Sequence, residues 1–255
     1  MKFAALASGS SGNSFIVENK NKLLLFDAGI SRKQIFERMK LLNLNPENID
    51  SVFITHEHID HIRGLDVLKK NVDADIFMTK DTFFNSKTNL ESDQINFIKS
   101  GDIIKKAGIE VNVFNKRHDV DEPVSFLLRH DKSLGIMTDI GSPCRNVIDA
   151  VEEADSLVLE NNYDEDMLMN GRYPIFLKRR ISHDYGHLSN KQASLLVLEH
   201  AKPKLNNLVL AHLSINNNTE ELAYNNMVQE LKNRKKFKPK ITVSTRYKPT
   251  EMFRV

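Results

Sequence analysis

Cysteine is nearly missing from this sequence, long apolar runs are missing altogether, and neither charge sign dominates. Cys144 is the single cysteine in 255 residues, which excludes an internal disulfide framework and a cysteine-rich zinc module. No apolar run approaches the ~20 residues of a membrane helix, so a soluble chain is expected. Phe3 to Ala7 behind Lys2 faintly imitates a secretory signal. It is shorter than the roughly 7 to 15 apolar residues of a genuine one, and the Gly and Ser that follow suit a strand entering a loop, so a reducing, cytoplasmic location is expected. Lys and Arg total 36 against 34 Asp and Glu, so binding to a polyanion must rest on local charge. Linkers, low-complexity segments and internal repeats are also lacking. What remains is ordinary globular usage, 40% hydrophobic and 27% charged, enough for one or two domains. The unusual feature is histidine, with nine residues.

Short β-type runs at Phe3 to Ala7, Ser14 to Glu18 and Lys22 to Phe26 predict an opening meander. Ser31 then caps a helix carrying Ile35, Met39 and Leu42, and Ser51 to Thr55 returns to strand. A helix from Asp60 to Lys70, a strand at Ala74 to Met78 and a helix near Asp81 follow. Further strands are expected at Ile109 to Phe114, Val124 to Arg129, Leu134 to Thr138, Ser156 to Glu160, Asn207 to Ala211 and Ile241 to Ser244. Helices are expected at Arg145 to Glu152, from the capping box at Ser189 to about Ala201, and at Thr219 to Asn233. The second half mirrors the first, and the order fits a layered α/β protein with helices outside and sheets inside.

His56-Glu57-His58-Ile59-Asp60-His61 follows the strand Val52 to Thr55. Two His separated by one residue on extended backbone point the same way and can share a metal. Asp60 and His61, in the turn entering a helix, can help hold a second ion, and imidazole with carboxylate suits zinc or another first-row divalent metal. A lone H-x-H reads equally well as a solvated loop; three His and one Asp within six residues do not. His118, Asp139 and His212 also follow predicted strands, where layered α/β folds place their chemistry.

This ordered set, HxHxDH with Asp27 in FDAG, His118 in RHD, Asp139 in TDIG and His212 in LAHLS, resembles the metallo-β-lactamase superfamily. The resemblance implies a single four-layer αββα sandwich domain over residues 1–255 and a hydrolase with two divalent metal ions, zinc or manganese, with iron also accepted. It implies His56, His58 and His118 on one metal, Asp60, His61 and His212 on the other, and Asp139 bridging. Asp27 is expected to orient a ligand imidazole, the alternative being a turn Asp before Gly29.

Three stretches narrow the substrate. Ala7-Ser8-Gly9-Ser10-Ser11-Gly12-Asn13-Ser14 offers close backbone approach and donors for an anion, with Ser10, Ser11 and Asn13 as candidates; a flexible hairpin is the plain alternative. Leu159-Glu160-Asn161-Asn162-Tyr163-Asp164 leads to Lys178-Arg179-Arg180, and Gly186-His187-Leu188-Ser189-Asn190 leads to Ala211-His212-Leu213-Ser214. Together they resemble the YycJ (WalJ) branch along the whole chain. Relatives often have ESNHD where this sequence has ENNYD, so Tyr163 is given no role.

That resemblance implies a phosphodiesterase acting on DNA as a 5′-to-3′ exonuclease, with a possible part in repair. Asp60, Glu160 and His187 are the catalytic candidates. Glu160 and His187 also resemble the Glu and His pair of tRNase Z, with the His protonating the leaving oxygen; the plain reading of His187 is a hydrogen-bonded residue before a helix. Lys178, Arg179 and Asn190 are further substrate-binding candidates. His130, His183 and His200 read as structural or solvated.

From residue 231 onward nine basic residues (Lys232, Arg234, Lys235, Lys236, Lys238, Lys240, Arg246, Lys248 and Arg254) stand against Glu251. They form a solvated face or, with residues 178–180, a phosphate-tracking surface. The competing functions are a hydrolase of small cyclic phosphodiesters, thioesters or lactones, and a non-catalytic regulatory module.

Overall fold

The structure, a computed structural model, describes residues 1–234 and 237–255. Lys235 and Lys236 of the basic run lie outside them. Strands β1 (Lys2–Ala7), β2 (Ser14–Asn19) and β3 (Lys22–Phe26) form the expected antiparallel meander. After helix α1 (Arg32–Leu41), strand β4 (Ile49–Phe53) joins in parallel. Helices α2 (Ile59–Ile62) and α3 (Leu65–Lys69), strand β5 (Asp75–Met78), helix α4 (Lys80–Asn85) and strand β6 (Ile95–Phe97) continue that parallel half.

The second sheet repeats the plan. Strands β7 (Ile103–Lys106), β8 (Ile109–Asn115), β9 (Val124–Arg129) and β10 (Ser133–Met137) are antiparallel. Helix α5 (Arg145–Glu153) leads to the parallel strand β11 (Ser156–Glu160). Helices α6 (Glu165–Asn170), α7 (Ile175–Ser182) and α8 (Asn190–His200) precede strand β12 (Asn207–Ala211), and α9 (Glu220–Leu231) precedes β13 (Lys240–Val243). Strand β14 (Phe253–Arg254) returns to the first sheet and pairs antiparallel with β1. Among the described residues each sheet has seven strands.

Near-continuous apolar strands such as Leu157-Val158-Leu159 have both faces to bury, which calls for a layer on each side. Phe15, Phe26 and Phe53 of the first sheet meet Val111, Phe126 and Val158 of the second in the central core. Leu25, Val52 and Ile76 face outward onto Ile35, Met39 and Leu65, while Leu157, Leu159 and Leu210 face Val147, Val197 and Met227. The result is the expected αββα order of layers.

Two expectations need correction. The predicted helix from Asp60 to Lys70 is broken into α2 and α3. At Gly64 a Cβ would lie 2.1 Å from the Ile30 carbonyl oxygen, while its N–H donates to the Ala28 carbonyl at 2.7 Å. The strand expected to reach Thr55 ends at Phe53, because the Thr55 N–H leaves the ladder to donate to Asp27. His56 and His58 therefore stand in the loop beyond the strand. That loop is pinned by a close approach of backbones, since a Cβ at Gly29 would meet the Asp60 carbonyl at 1.6 Å and Asn13 donates its N–H to the same oxygen at 2.8 Å.

Candidate metal centre

The site is built on strand C-terminal ends from both sheets. Asp27 follows β3, His56 to His61 follow β4, His118 follows β8, Asp139 follows β10, Glu160 closes β11 and His212 follows β12. Asp27, Asp139 and His212 have φ of 61°, 56° and 58°. Non-glycine residues pay for this left-handed backbone, and such strain concentrates where side chains must be aimed.

Hydrogen bonds behind the site decide which ring nitrogen each His turns inward. His118 Nδ1 lies 3.1 Å from the Gly186 carbonyl, which can only accept, so Nε2 is left as a lone pair. His56 Nδ1 lies 2.9 Å from Thr55 Oγ1, which itself donates to Asp27. The free Nε2 atoms of His56 and His118 both turn to His58 Nδ1, at 3.1 and 3.3 Å. His61 Nδ1 donates to Asp27 Oδ2 at 2.7 Å, and His212 Nδ1 donates to Glu160 Oε1 at 2.8 Å. Their Nε2 atoms face Asp60 Oδ2 at 3.5 and 3.4 Å.

Asp139 stands between the two groups. Oδ1 lies 3.7 Å from His118 Nε2 and 4.0 Å from His56 Nε2. Oδ2 lies 3.1 Å from His61 Nε2 but off the line of a hydrogen bond, buried and otherwise unpartnered. Converging imidazole lone pairs and an orphaned buried carboxylate oxygen are what a cation satisfies, and the sets His56/His58/His118 and Asp60/His61/His212 each bring their ligand atoms within 4.8 Å of one another. The residues fit divalent metal.

The electrostatics of the two sets differ. Burial, reinforced by His61, pushes His56 well below its ordinary pKa, and burial takes His118 down to about 3, so both are neutral. Burial also works against charge on His212, but Asp139 and the hydrogen bonds to Asp60 and Glu160 outweigh it and raise the pKa to about 10. His61 is raised in the same way, with Asp139, Asp27 and Asp60 overcoming burial. A metal ion at these two Nε2 atoms must displace the protons that the carboxylates favour. Loading with zinc or manganese at neutral pH is therefore expected to release roughly one to two protons per chain. Calorimetry in two buffers of different ionisation enthalpy measures this release, and a binding enthalpy independent of buffer would refute it.

The sequence profile described as the Metallo-beta-lactamase superfamily matches residues 7–197. The chain is 37% identical over 236 residues to "Exodeoxyribonuclease WalJ" of Streptococcus pneumoniae, covering 90% of this chain and 88% of that one. It belongs to the metallo-β-lactamase superfamily, in the YycJ (WalJ) branch. "Exodeoxyribonuclease YycJ" of Bacillus anthracis is 35% identical over 235 residues, covering 91% of this chain and 89% of the relative. The metallo-β-lactamase fold protein YhfI of Bacillus subtilis superposes with a TM-score of 0.75 over 98% of both chains at 15% identity, a likeness of fold.

In this superfamily member a cleft of about 240 Å³ opens over the His and Asp cluster, lined by Ser10, His58, Asp60, Asp119, Asp139, Asn162, Tyr173, Leu177, Arg180, Ile181, Gly186, His187, His212 and Ser214. Of the residues expected to bind substrate, Ser10 lines it. Ser11 instead offers its carbonyl to Arg63. Asn13 is buried behind the ligands, its amide accepting from Ser8 and donating to Asp60 at 3.3 Å. Asn190 is likewise buried, paired amide to amide with Asn218. Lys178 donates to the Met169 carbonyl and Arg179 points to solvent, while their neighbour Arg180 reaches the cleft.

Among the described residues, the basic C-terminal segment does not line the cleft. Arg234 is spent on the carbonyls at the end of α8, Lys240 pairs with Glu251, and Arg246 donates to the Leu213 carbonyl beside His212.

Glu160 is fully buried and accepts four hydrogen bonds: from His187 Nδ1 and His212 Nδ1, each at 2.8 Å, and from the backbone N–H groups of Ile140 and Leu188 at 2.6 and 3.2 Å. It therefore positions His187 and His212. The reading of the sequence overlooked Asp119, whose carboxylate lies 3.3 Å from His118 Nε2 and 2.6 Å from Arg180 Nε. Its signal was its place directly after a ligand candidate in RHD. Lys116 was overlooked too; buried, it donates to the Thr138 carbonyl at 2.7 Å and so braces the turn that carries Asp139.

Proposed function

We propose that this chain is a two-metal phosphodiesterase that hydrolyses DNA as a 5′-to-3′ exonuclease, with a role in repair. The observation that carries it is the pairing of a complete set of metal ligands with His187, oriented by Glu160, in one cleft. The exodeoxyribonuclease names of its relatives, matched over about nine-tenths of the chain, favour DNA over small esters.

His56, His58 and His118 would hold one ion, Asp60, His61 and His212 the other, with Asp139 shared; zinc, manganese and iron all suit these ligands. Bound there, divalent ions would supply Lewis-acid polarisation of the phosphoryl oxygens and an acidified water. The protein's own groups do the rest. His187 commits Nδ1 to Glu160, so its Nε2 is the nitrogen available to hand a proton to the leaving oxygen. Ser10 offers a hydroxyl at the wall of the same cleft, and Arg180 a positive charge for a neighbouring phosphate. Cys144, half-buried and free, fits a reducing cytoplasm, and among the described residues no helix is long and apolar enough to cross a membrane.

The test incubates zinc- or manganese-loaded protein with end-labelled single- and double-stranded DNA, RNA, a thioester and bis(p-nitrophenyl) phosphate. Stepwise shortening of DNA from the 5′ end, absent in Asp60→Ala, is expected. Intact DNA alongside cleavage of a small ester would overturn the reading.

A further inference from the structure

Helix α7 is the least embedded element around the cleft. None of its eight residues is buried, and Phe176 is 70% exposed. Its neighbour Ile175 is 68% exposed, so the helix shows solvent more apolar surface than a single ring. The helix is fixed to the site by one inward stripe, where Leu177 and Ile181, one turn apart, line the cleft. Arg180 also reaches inward and pairs with Asp119, the carboxylate beside His118.

Phe176 lies one turn before Arg180, and Arg179 three residues after Phe176, so the ring shares a helix face with a cation that lines the cleft and with a second, exposed one. Residues 172–183 contain four basic side chains and no acidic one. This charge matches a phosphate backbone, and the stripe is continuous with the cleft wall.

Resting on the DNA reading above, we propose that α7 is a platform for the single-stranded end of the substrate. A base next to the scissile nucleotide stacks on Phe176, and Arg179 takes a phosphate on the same strand. The occupant is a single strand because a ring can stack only on a base whose face is free, whereas interior bases of a duplex already have both faces covered.

The experiment measures binding of a fluorescent single-stranded oligonucleotide and of a blunt duplex of the same sequence, by anisotropy, to full-length protein carrying Asp60→Asn to prevent cleavage. Adding Phe176→Ala is expected to weaken single-strand binding roughly 5- to 100-fold and duplex binding much less, with Phe176→Trp restoring it. In the cleavage-competent protein, Phe176→Ala should lower the ratio of single-stranded DNA to bis(p-nitrophenyl) phosphate hydrolysis. Equal losses on single strand and duplex, or no loss on either, overturn the platform while leaving the nuclease reading intact. A parent protein that neither binds nor cuts DNA while cleaving bis(p-nitrophenyl) phosphate overturns both.

Discussion

Asp139→Asn is expected to lower metal-dependent DNA hydrolysis by roughly three orders of magnitude or more, about 4 kcal/mol of transition-state stabilisation, while the chain still folds. Asparagine is close in shape and tolerates a left-handed backbone, so the turn at φ 56° can survive. What disappears is the negative charge at the junction of the two ligand groups. In the native protein burial alone would raise the Asp139 pKa, but His212 and His61 overcome it and hold the carboxyl well below its ordinary value. The amide has no second anionic oxygen to share between ions. Metal content after gel filtration, circular dichroism and the rate on labelled DNA check the prediction. A variant with native metal content and a rate within about tenfold of the parent would remove Asp139 from the shared-ligand position.

Glu160→Gln should cost nearly as much, although the residue is placed to touch no substrate. The carboxylate accepts on both oxygens, from two imidazoles and two backbone N–H groups. It is held ionised, at about 2, because His187 and His212 outweigh the penalty of burial. Glutamine keeps one acceptor and substitutes an NH₂ that faces either two ring N–H donors or two backbone donors. Either choice leaves buried donors unpartnered, at about 1–3 kcal/mol of stability. Losing the carboxylate behind His212 is expected to weaken metal binding roughly 10- to 100-fold, and loss of the His187 orientation adds a further ~10²-fold in kcat.

His187→Ala separates these effects, because His187 is placed to act on the leaving group rather than to hold metal. It should lose the kcat component and keep the metal. Titration of metal binding by competition with a chelator, beside kcat at saturating metal, distinguishes the variants. Equal metal affinity in Glu160→Gln and the parent would show that Glu160 does not position His212.

Much of the fold was legible because its strands are buried on both faces and therefore apolar. Val124–Arg129 and Ser156–Glu160 have the predicted bounds, and Asn207–Ala211 does too. The cap expected at Ser31 and the capping box expected at Ser189 also form. Strands β6, β7 and β14 were missed, being short and, for β6 and β7, largely open to solvent, so no alternation or apolar run marks them. Helix α7 was missed for a related reason, since it buries no full face and leaves only the sequence Lys178-Arg179-Arg180 as a trace.

The sequence by itself determined the chemistry at hand: which imidazoles and carboxylates exist, and their spacing behind apolar strands that must be buried. It also determined that no disulfide could substitute for the core, since Cys144 has no second cysteine to pair with. Tertiary structure alone decided aim and protonation. Asn13 and Asn190 read as substrate donors until their backbones were carried into the interior, where an amide must find protein partners. His61 and His118 are the same residue type, yet three carboxylates draw a proton onto one, and burial keeps the other neutral. Asp60 is His61's neighbour in sequence and Asp27 comes from the adjacent strand of the same sheet, but Asp139 arrives only when the two sheets pack, so local sequence could encode only part of the difference.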